Sequence, residues 1–216
     1  MTGYSRSPRV LKGGLVLMER DSGSVIRAIA LQYNPEMLNR SVSMRGAGED
    51  GDRLEALRLS GPPVETINLE AVLDASDGLA AGNATSGEIG VAGDIAALET
   101  ILYPSADSLA AQDALAARGM IEVLPVVAPL VLFVWGAKRI LPVRITDFSV
   151  VEEMFDPALN PIRARITLGM RALSVNDLPF ASRGGSLSMV QHRLKETLSA
   201  RGTTGGLAAL GADSLG

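Results

Sequence analysis

Apolar and polar positions alternate most regularly near the end of the chain. There Ile162, Ala164, Ile166, Leu168, Met170 and Ala172 fall on one side of an extended strand, and Arg163, Arg165, Thr167, Gly169 and Arg171 on the other. The run before it begins with Leu141, Val143 and Ile145 in phase and continues its apolar side through Phe148 and Val150, a change of face that predicts a bulge at Thr146 or Asp147. Asp156-Pro-Ala-Leu-Asn-Pro161 joins the two runs with strong turn chemistry. Residues 139–173 are therefore predicted to form one long β-hairpin. With its turn centred on Ala158 and Leu159, Glu152 would lie across from Arg165.

Other segments read in the same way. Residues 14–18 and 25–33 flank Glu19-Arg20-Asp21-Ser22-Gly23 and predict a hairpin, whose second strand, with Val25, Ile29, Leu31 and Tyr33 on one face and Ile26, Ala28 and Ala30 on the other, should be at least half covered on both. Strands are expected over 38–44 and 65–73, separated by a loop of glycine and acid at 45–53. The stretch 74–93 lacks sustained periodicity and is expected to be a surface loop. Asp94 is placed to cap a helix with Ile95, Leu98, Ile101 and Leu102 on one stripe and Pro104 as its stop. An alanine-rich helix should follow over 108–118, ending at Gly119, and the apolar run 123–137 reads as a buried strand behind a loop stiffened by Pro125 and Pro129. Leu187, Val190, Leu194 and Leu198 suggest a final amphipathic helix, followed by a glycine- and alanine-rich tail from Gly202. The expectation is a mainly β (α+β) protein: residues 1–180 as a β domain with a helical insert at about 94–118, and 181–216 as a helix and flexible tail.

With 47% hydrophobic residues in 216, the chain can bury a substantial core, but aromatics are only 4%, so Leu, Val, Ile, Ala and Met must fill it. A formal charge of −4 offers no general basic face for a phosphate backbone, so no nucleic-acid partner is expected. No apolar run reaches the length of a bilayer span, and none near the start has the form of a secretion signal, so cytoplasmic folding without membrane insertion is expected.

The candidate chemistry is thin. Cysteine is absent, which excludes disulfides, thiolate metal sites and a cysteine nucleophile. His192, the single histidine, sits between Gln191 and Arg193 and reads as a solvated helix residue. Gly46-Ala-Gly48-Glu-Asp-Gly51 matches the spacing of a dinucleotide loop, but Glu49 and Asp50 would repel the phosphate, and with Asp52 they lack the spacing of a calcium loop. Glu152 and Glu153, as strand neighbours, point to opposite faces and cannot work as an acid–base pair. Asn83-Ala-Thr85 is a sequon that matters only in a secreted protein. No catalytic, cofactor or metal residue is assigned, and the chain is not expected to be an enzyme.

Six phrases in a shared order carry a resemblance. They are Leu31-Gln-Tyr-Asn-Pro-Glu36, Gly61-Pro-Pro-Val-Glu-Thr-Ile67, Ala97-Leu-Glu-Thr-Ile-Leu-Tyr-Pro104, Leu130-Val-Leu-Phe-Val-Trp-Gly136, Leu141-Pro-Val-Arg144 and Phe155-Asp-Pro-Ala-Leu-Asn-Pro-Ile-Arg163. Over about residues 11–178 the chain resembles the tube-like N-terminal domain of contractile injection system baseplate proteins, related to phage tail and antifeeding-prophage assemblies. No LysM-type module is recognised in residues 181–216. The resemblance implies a β-barrel or sandwich like that of injection tube proteins, whose long hairpins join those of neighbouring copies into a sixfold ring. It implies an adaptor between inner tube and spike hub, with the inner-tube protein, the spike or hub protein and other baseplate components as partners, assembled in the cytoplasm as part of a phage tail-like particle.

On that reading Arg144, Glu152, Arg163, Arg165 and Arg171 are candidates for the lumen or a subunit interface, and Ile162, Ile166, Leu168 and Met170 for the hairpin's core face. The alternatives from other classes are a free-standing ligand- or carbohydrate-binding β-domain and an unrecognised hydrolase, either of which requires a cleft with converging polar groups.

Overall fold

The structure, a computed structural model, describes residues 10–45, 59–118 and 128–202. The glycine-rich stretch Gly46 to Gly51 with its acids, Asp52, Gly119, Pro125 and the tail after Gly202 lie outside the described residues. Seven strands form one antiparallel sheet: β1 (Gly14–Met18), β2 (Val25–Ala30), β3 (Leu38–Ser43), β4 (Val64–Asp74), β5 (Leu130–Val134), β6 (Ile140–Phe155) and β7 (Pro161–Ala172). Their order is β2-β1-β5-β6-β7-β4-β3. Five helices accompany them: α1 (Ser76–Ala80), α2 (Ala84–Ile89), α3 (Ala92–Glu99), α4 (Ala106–Ala117) and α5 (Arg183–Ser199). The fold is mainly β with short helical inserts.

Of the β-barrel or sandwich that the resemblance implied, the closed barrel is not what forms. β2 and β3 end the sheet, and among the described residues neither pairs with the other. The residues between them curl back across the sheet instead: Leu31 is buried in the main core, and the Gln32 amide pairs with the backbone of Asp74 at the far end of β4. That main core joins Leu15 and Phe133 at one end to Ile67, Ile166 and Met170 at the other, with Val91, Ile95 and Leu98 from the helical insert covering it. Ala164, Ile166, Leu168 and Met170 are each 3% exposed or less, and burying a side chain the size of Ile166, Leu168 or Met170 contributes about 1.5–3 kcal/mol.

β1 and β5 are buried on both faces, which explains their unbroken apolar runs. Leu15 and Phe133 face the main core. Val16, Met18, Leu130 and Leu132 face a second cluster completed by Leu178 and by Leu187 of α5. The half of the sheet made by β6, β7, β4 and β3 has no such cover on that second face.

Several local expectations change. β2 is exposed along nearly its whole length because it is the terminal strand, and only Ile29 packs on the core. The stretch expected as a loop before α3 holds the single-turn helices α1 and α2, which bury nothing and so leave no periodicity to read. Asn83 of the sequon caps α2, accepting from the backbone N–H groups of Thr85 and Ser86. α3 starts two residues before Asp94, which lies in its first turn rather than at its cap. In α5, Gly184, Gly185 and Gln191 are the buried positions, while Val190 and Leu198 are exposed: two close-packing glycines set which side meets the protein.

Candidate assembly surface

β6 and β7 pair from Val143↔Ala172 to Phe155↔Pro161, with a bulge between Ile145 and Asp147 that leaves Thr146 as the extra residue. The bulge keeps Ile145 and Phe148 on the core side despite the odd count between them. The turn sets a register one residue from the predicted one. Met154 adopts a left-handed conformation (φ 59°) between the pairs Glu153↔Arg163 and Phe155↔Pro161. Five residues separate the closing pair Phe155↔Pro161, so Val151, not Glu152, lies across from Arg165, and Glu152, itself exposed, faces the buried Ala164 on the core side of the ladder. Arg165 instead makes a diagonal ion pair with Glu153 at 3.3 Å.

The turn is held from within and from α2. Asp156 accepts from the backbone N–H of Ala158 and Asn160, and the Asn160 amide donates to Asp156 and to the carbonyl of Glu88. The Asn160 side chain, with the backbone N–H of Asn160 and Ala158, holds the Asp156 carboxyl below its ordinary range against a small desolvation effect. The backbone N–H of Val91 donates to the Pro161 carbonyl, and Gly90 (φ 57°) lies so close to that carbonyl that a Cβ would collide with it. Leu159 is the second left-handed residue (φ 67°), and a non-glycine residue in that region costs about 1–2 kcal/mol. Met154, Phe155 and Leu159 are 61%, 51% and 78% exposed, so strain and solvent exposure coincide at the tip.

Cross-strand register places the candidate arginines on the uncovered face. Arg163, Arg165 and Arg171 stand there with Asn68 and Glu70 of β4 and Asn39 and Ser41 of β3. Arg144 lies opposite Arg171 on the same face. The Asp177 carboxylate pairs with Arg171, lies 4.0 Å from Arg45 and accepts from the backbone and hydroxyl of Ser174. Burial raises its pKa, but the Ser174 N–H, the Arg171 bond and the Ser174 hydroxyl outweigh it and hold the carboxyl below the usual range. Arg163 reaches Asp74 at 4.0 Å, and the Ser41 and Thr66 hydroxyls bond at 2.5 Å. The face is mostly polar and partly paired within itself, with Val72 and Val151 opposite Arg165 as its apolar positions.

Its margins are open. β5 pairs with β6 only over residues 140–143, so from Arg144 to Phe155 β6 pairs only with β7 among the described residues. On the other side β3 pairs only with β4 among the described residues. The unit β6-β7-β4-β3 thus has a long unpaired edge at each margin. The four strands alternate in direction, so β3 runs opposite to β6.

At the base of the sheet Glu65, 6% exposed, is the buried carboxylate. Lys195 of α5 donates to its Oε2 at 2.6 Å, and Arg40 Nε lies 3.6 Å from its Oε1, an oxygen that accepts no hydrogen bond. A groove of about 450 Å³ lies over β4 under Tyr33 and Met37, open along its length, with Glu70 and Arg165 among its polar walls. Among the described residues no three His, Asp or Glu side chains converge on a metal site, and no helix is long and apolar enough to cross a membrane. His192 stands exposed on α5, 3.5 Å from Glu196.

No protein-family model matches this chain, and no curated protein does. Among solved structures it is similar to a chain in the tail of an empty GTA particle computed with helical refinement and C6 symmetry. The identity is 12%, the match covers 74% of this chain and 90% of that one, and the TM-score is 0.28. A likeness at that level carries no argument, and the functional reading rests on the surface just described.

Proposed function

We propose that the chain is a structural subunit of a contractile injection or phage tail-like machine, forming a sixfold ring that joins inner tube to spike hub. One observation carries the reading: a mostly polar four-stranded face, covered only in part by Tyr33–Met37 and the Ser174–Asp177 turn, ends among the described residues in an unpaired strand on both sides. Placing β3 of one copy beside β6 of the next continues the antiparallel alternation, because the unit has an even number of strands running in turn. Head-to-tail addition satisfies both of these edges at once, and closure leaves neither of them exposed. The polar face would then line a watery channel and the main core would lie outside it, consistent with the order of sequence phrases that resemble tube-like baseplate domains. The role is mechanical and needs no catalytic group.

Electron microscopy of the purified protein, alone and with tube and spike partners, tests this. Rings with a central channel are expected, and Val42→Lys, a charge placed on exposed β3, should prevent them without unfolding the monomer. A compact twofold dimer that buries the β6 edge against itself, or an enzymatic activity abolished by His192→Ala, would overturn the proposal.

A further inference from the structure

The two ends of this molecule along its strands differ in charge. At one end, residues 151–160 contain Glu152, Glu153 and Asp156 and no basic residue, Glu153 being paired with Arg165 and Asp156 bonded within the turn, which leaves Glu152 as the acid unpaired among the described residues. The same tip exposes Met154, Phe155 and Leu159, two of them in backbone conformations that glycine would adopt without strain. Large apolar side chains held in a strained conformation against solvent contribute nothing to the isolated chain, which points to a contact outside it.

At the other end a cavity of about 410 Å³ opens between the second half of α5 and the mouth of the curled sheet. Arg40, Lys138, Arg139 and Lys195 line it against a single carboxylate, Glu65, and Leu141, Leu194 and Leu198 supply apolar wall. Lys138 and Arg139 belong to the β5–β6 turn and make no ion pair among the described residues. Two polar side chains in its wall, Glu65 and Gln191, are more than nine-tenths buried, and Glu65 Oε1 has no hydrogen-bond donor. The nine-residue rise of β4 from Glu65 to Asp74 separates cavity from tip by roughly 30 Å.

We infer that the cavity at the base is the receptor for the acidic hairpin tip of a second copy of this chain, so that copies dock end to end along the strand direction. The inference rests on the ring reading for its setting, where it would stack one ring on another, but the contact itself needs only two copies. Charge complements charge, apolar side chains meet apolar wall, and because tip and cavity lie at opposite ends of one molecule the contact is heterologous and repeats without closing on itself.

The test uses the full chain carrying Val42→Lys, which removes edge pairing, followed by sedimentation velocity over a concentration series at low salt. End-to-end species are expected, weakening as salt is added. Lys138→Glu with Arg139→Glu, and separately Glu152→Lys with Glu153→Lys, should each weaken self-association by more than about tenfold, since each sets like charges face to face. An equimolar mixture of the two variants should associate again, because the reversed tip now fits the reversed cavity. A monomer at every concentration, reversals that associate as the parent does, or a mixture that fails to recover would overturn the inference. Without Val42→Lys the outcomes separate: rings that never stack sink this contact alone, and end-to-end chains that never form rings sink the ring alone.

Discussion

The side-chain amide of Gln32 pairs with the backbone of Asp74 in both directions, Nε2 donating to the Asp74 carbonyl at 2.6 Å and Oε1 accepting from its N–H at 2.8 Å. A single side chain thereby takes the place of a strand partner at the end of β4, 42 positions away in sequence, and draws the link between the two terminal strands over the core. Gln32→Ala should cost about 1–3 kcal/mol, since it leaves two partly buried backbone groups unpaired. Gln32→Glu restores an acceptor but no donor and should recover only part of that loss. Urea denaturation of the isolated chain measures both; a Gln32→Ala protein as stable as the parent would show that water serves those groups equally well.

Ile166 is 1% exposed, whereas the side chain of Arg165 next to it is 56% exposed. Ile166→Asp should therefore abolish folding or cost more than about 4 kcal/mol by burying a charge without a partner. Arg163→Glu with Arg165→Glu should change the thermal midpoint little and alter assembly instead, because both stand on the uncovered face. Circular dichroism melts of the two proteins check the assignment of faces. A folded Ile166→Asp chain beside an unfolded double variant would reverse it.

Leu159→Gly should stabilise the isolated chain by about 0.5–1 kcal/mol, or leave it unchanged, because glycine relieves the left-handed strain while widening the unfolded ensemble. The same change should reduce end-to-end association by removing an exposed apolar contact. Stability and assembly are expected to move in opposite directions, and a variant that loses both would show that Leu159 supports the fold.

The Asp177 carboxyl, held below its ordinary range in the folded chain, ties Arg171 and the Ser174 turn to the base of the hairpin. A depressed folded-state pKa stabilises the fold above the unfolded value, about 3.9, and that contribution is lost as pH falls through the folded value. The melting temperature should hold on mild acidification and drop below about pH 4. In Asp177→Asn the midpoint should start lower at neutral pH and fall less on acidification. Parallel melting curves for the two proteins across that range would remove Asp177 from the acid response.

Alternation along β7 made its two faces legible, because a strand buried on one side repeats with the period of its own pleat, and the phase change in β6 narrowed the bulge to Thr146 or Asp147 for the same reason. Short-range chemistry likewise marked the β1–β2 turn, the Asp156–Asn160 turn and the helix around Ile95 and Leu98. What lay beyond the sequence depended on partners far away along the chain. Nothing in the Asp156–Asn160 chemistry fixes the exact pair that closes the ladder, yet closure at Phe155↔Pro161 is what puts Val151 rather than Glu152 opposite Arg165. Nothing in the pattern of β2 distinguishes a terminal strand from a covered one, since exposure depends on which strand lies alongside. The curled but open sheet, the Gln32–Asp74 pair and the gathering of Arg40, Glu65, Lys138 and Lys195 around one cavity were decided only by the tertiary structure. They join strands, a turn and a helix from separate stretches of the chain, and contacts of that kind are set by how the whole sheet twists and closes over its core, which no window of neighbouring residues encodes.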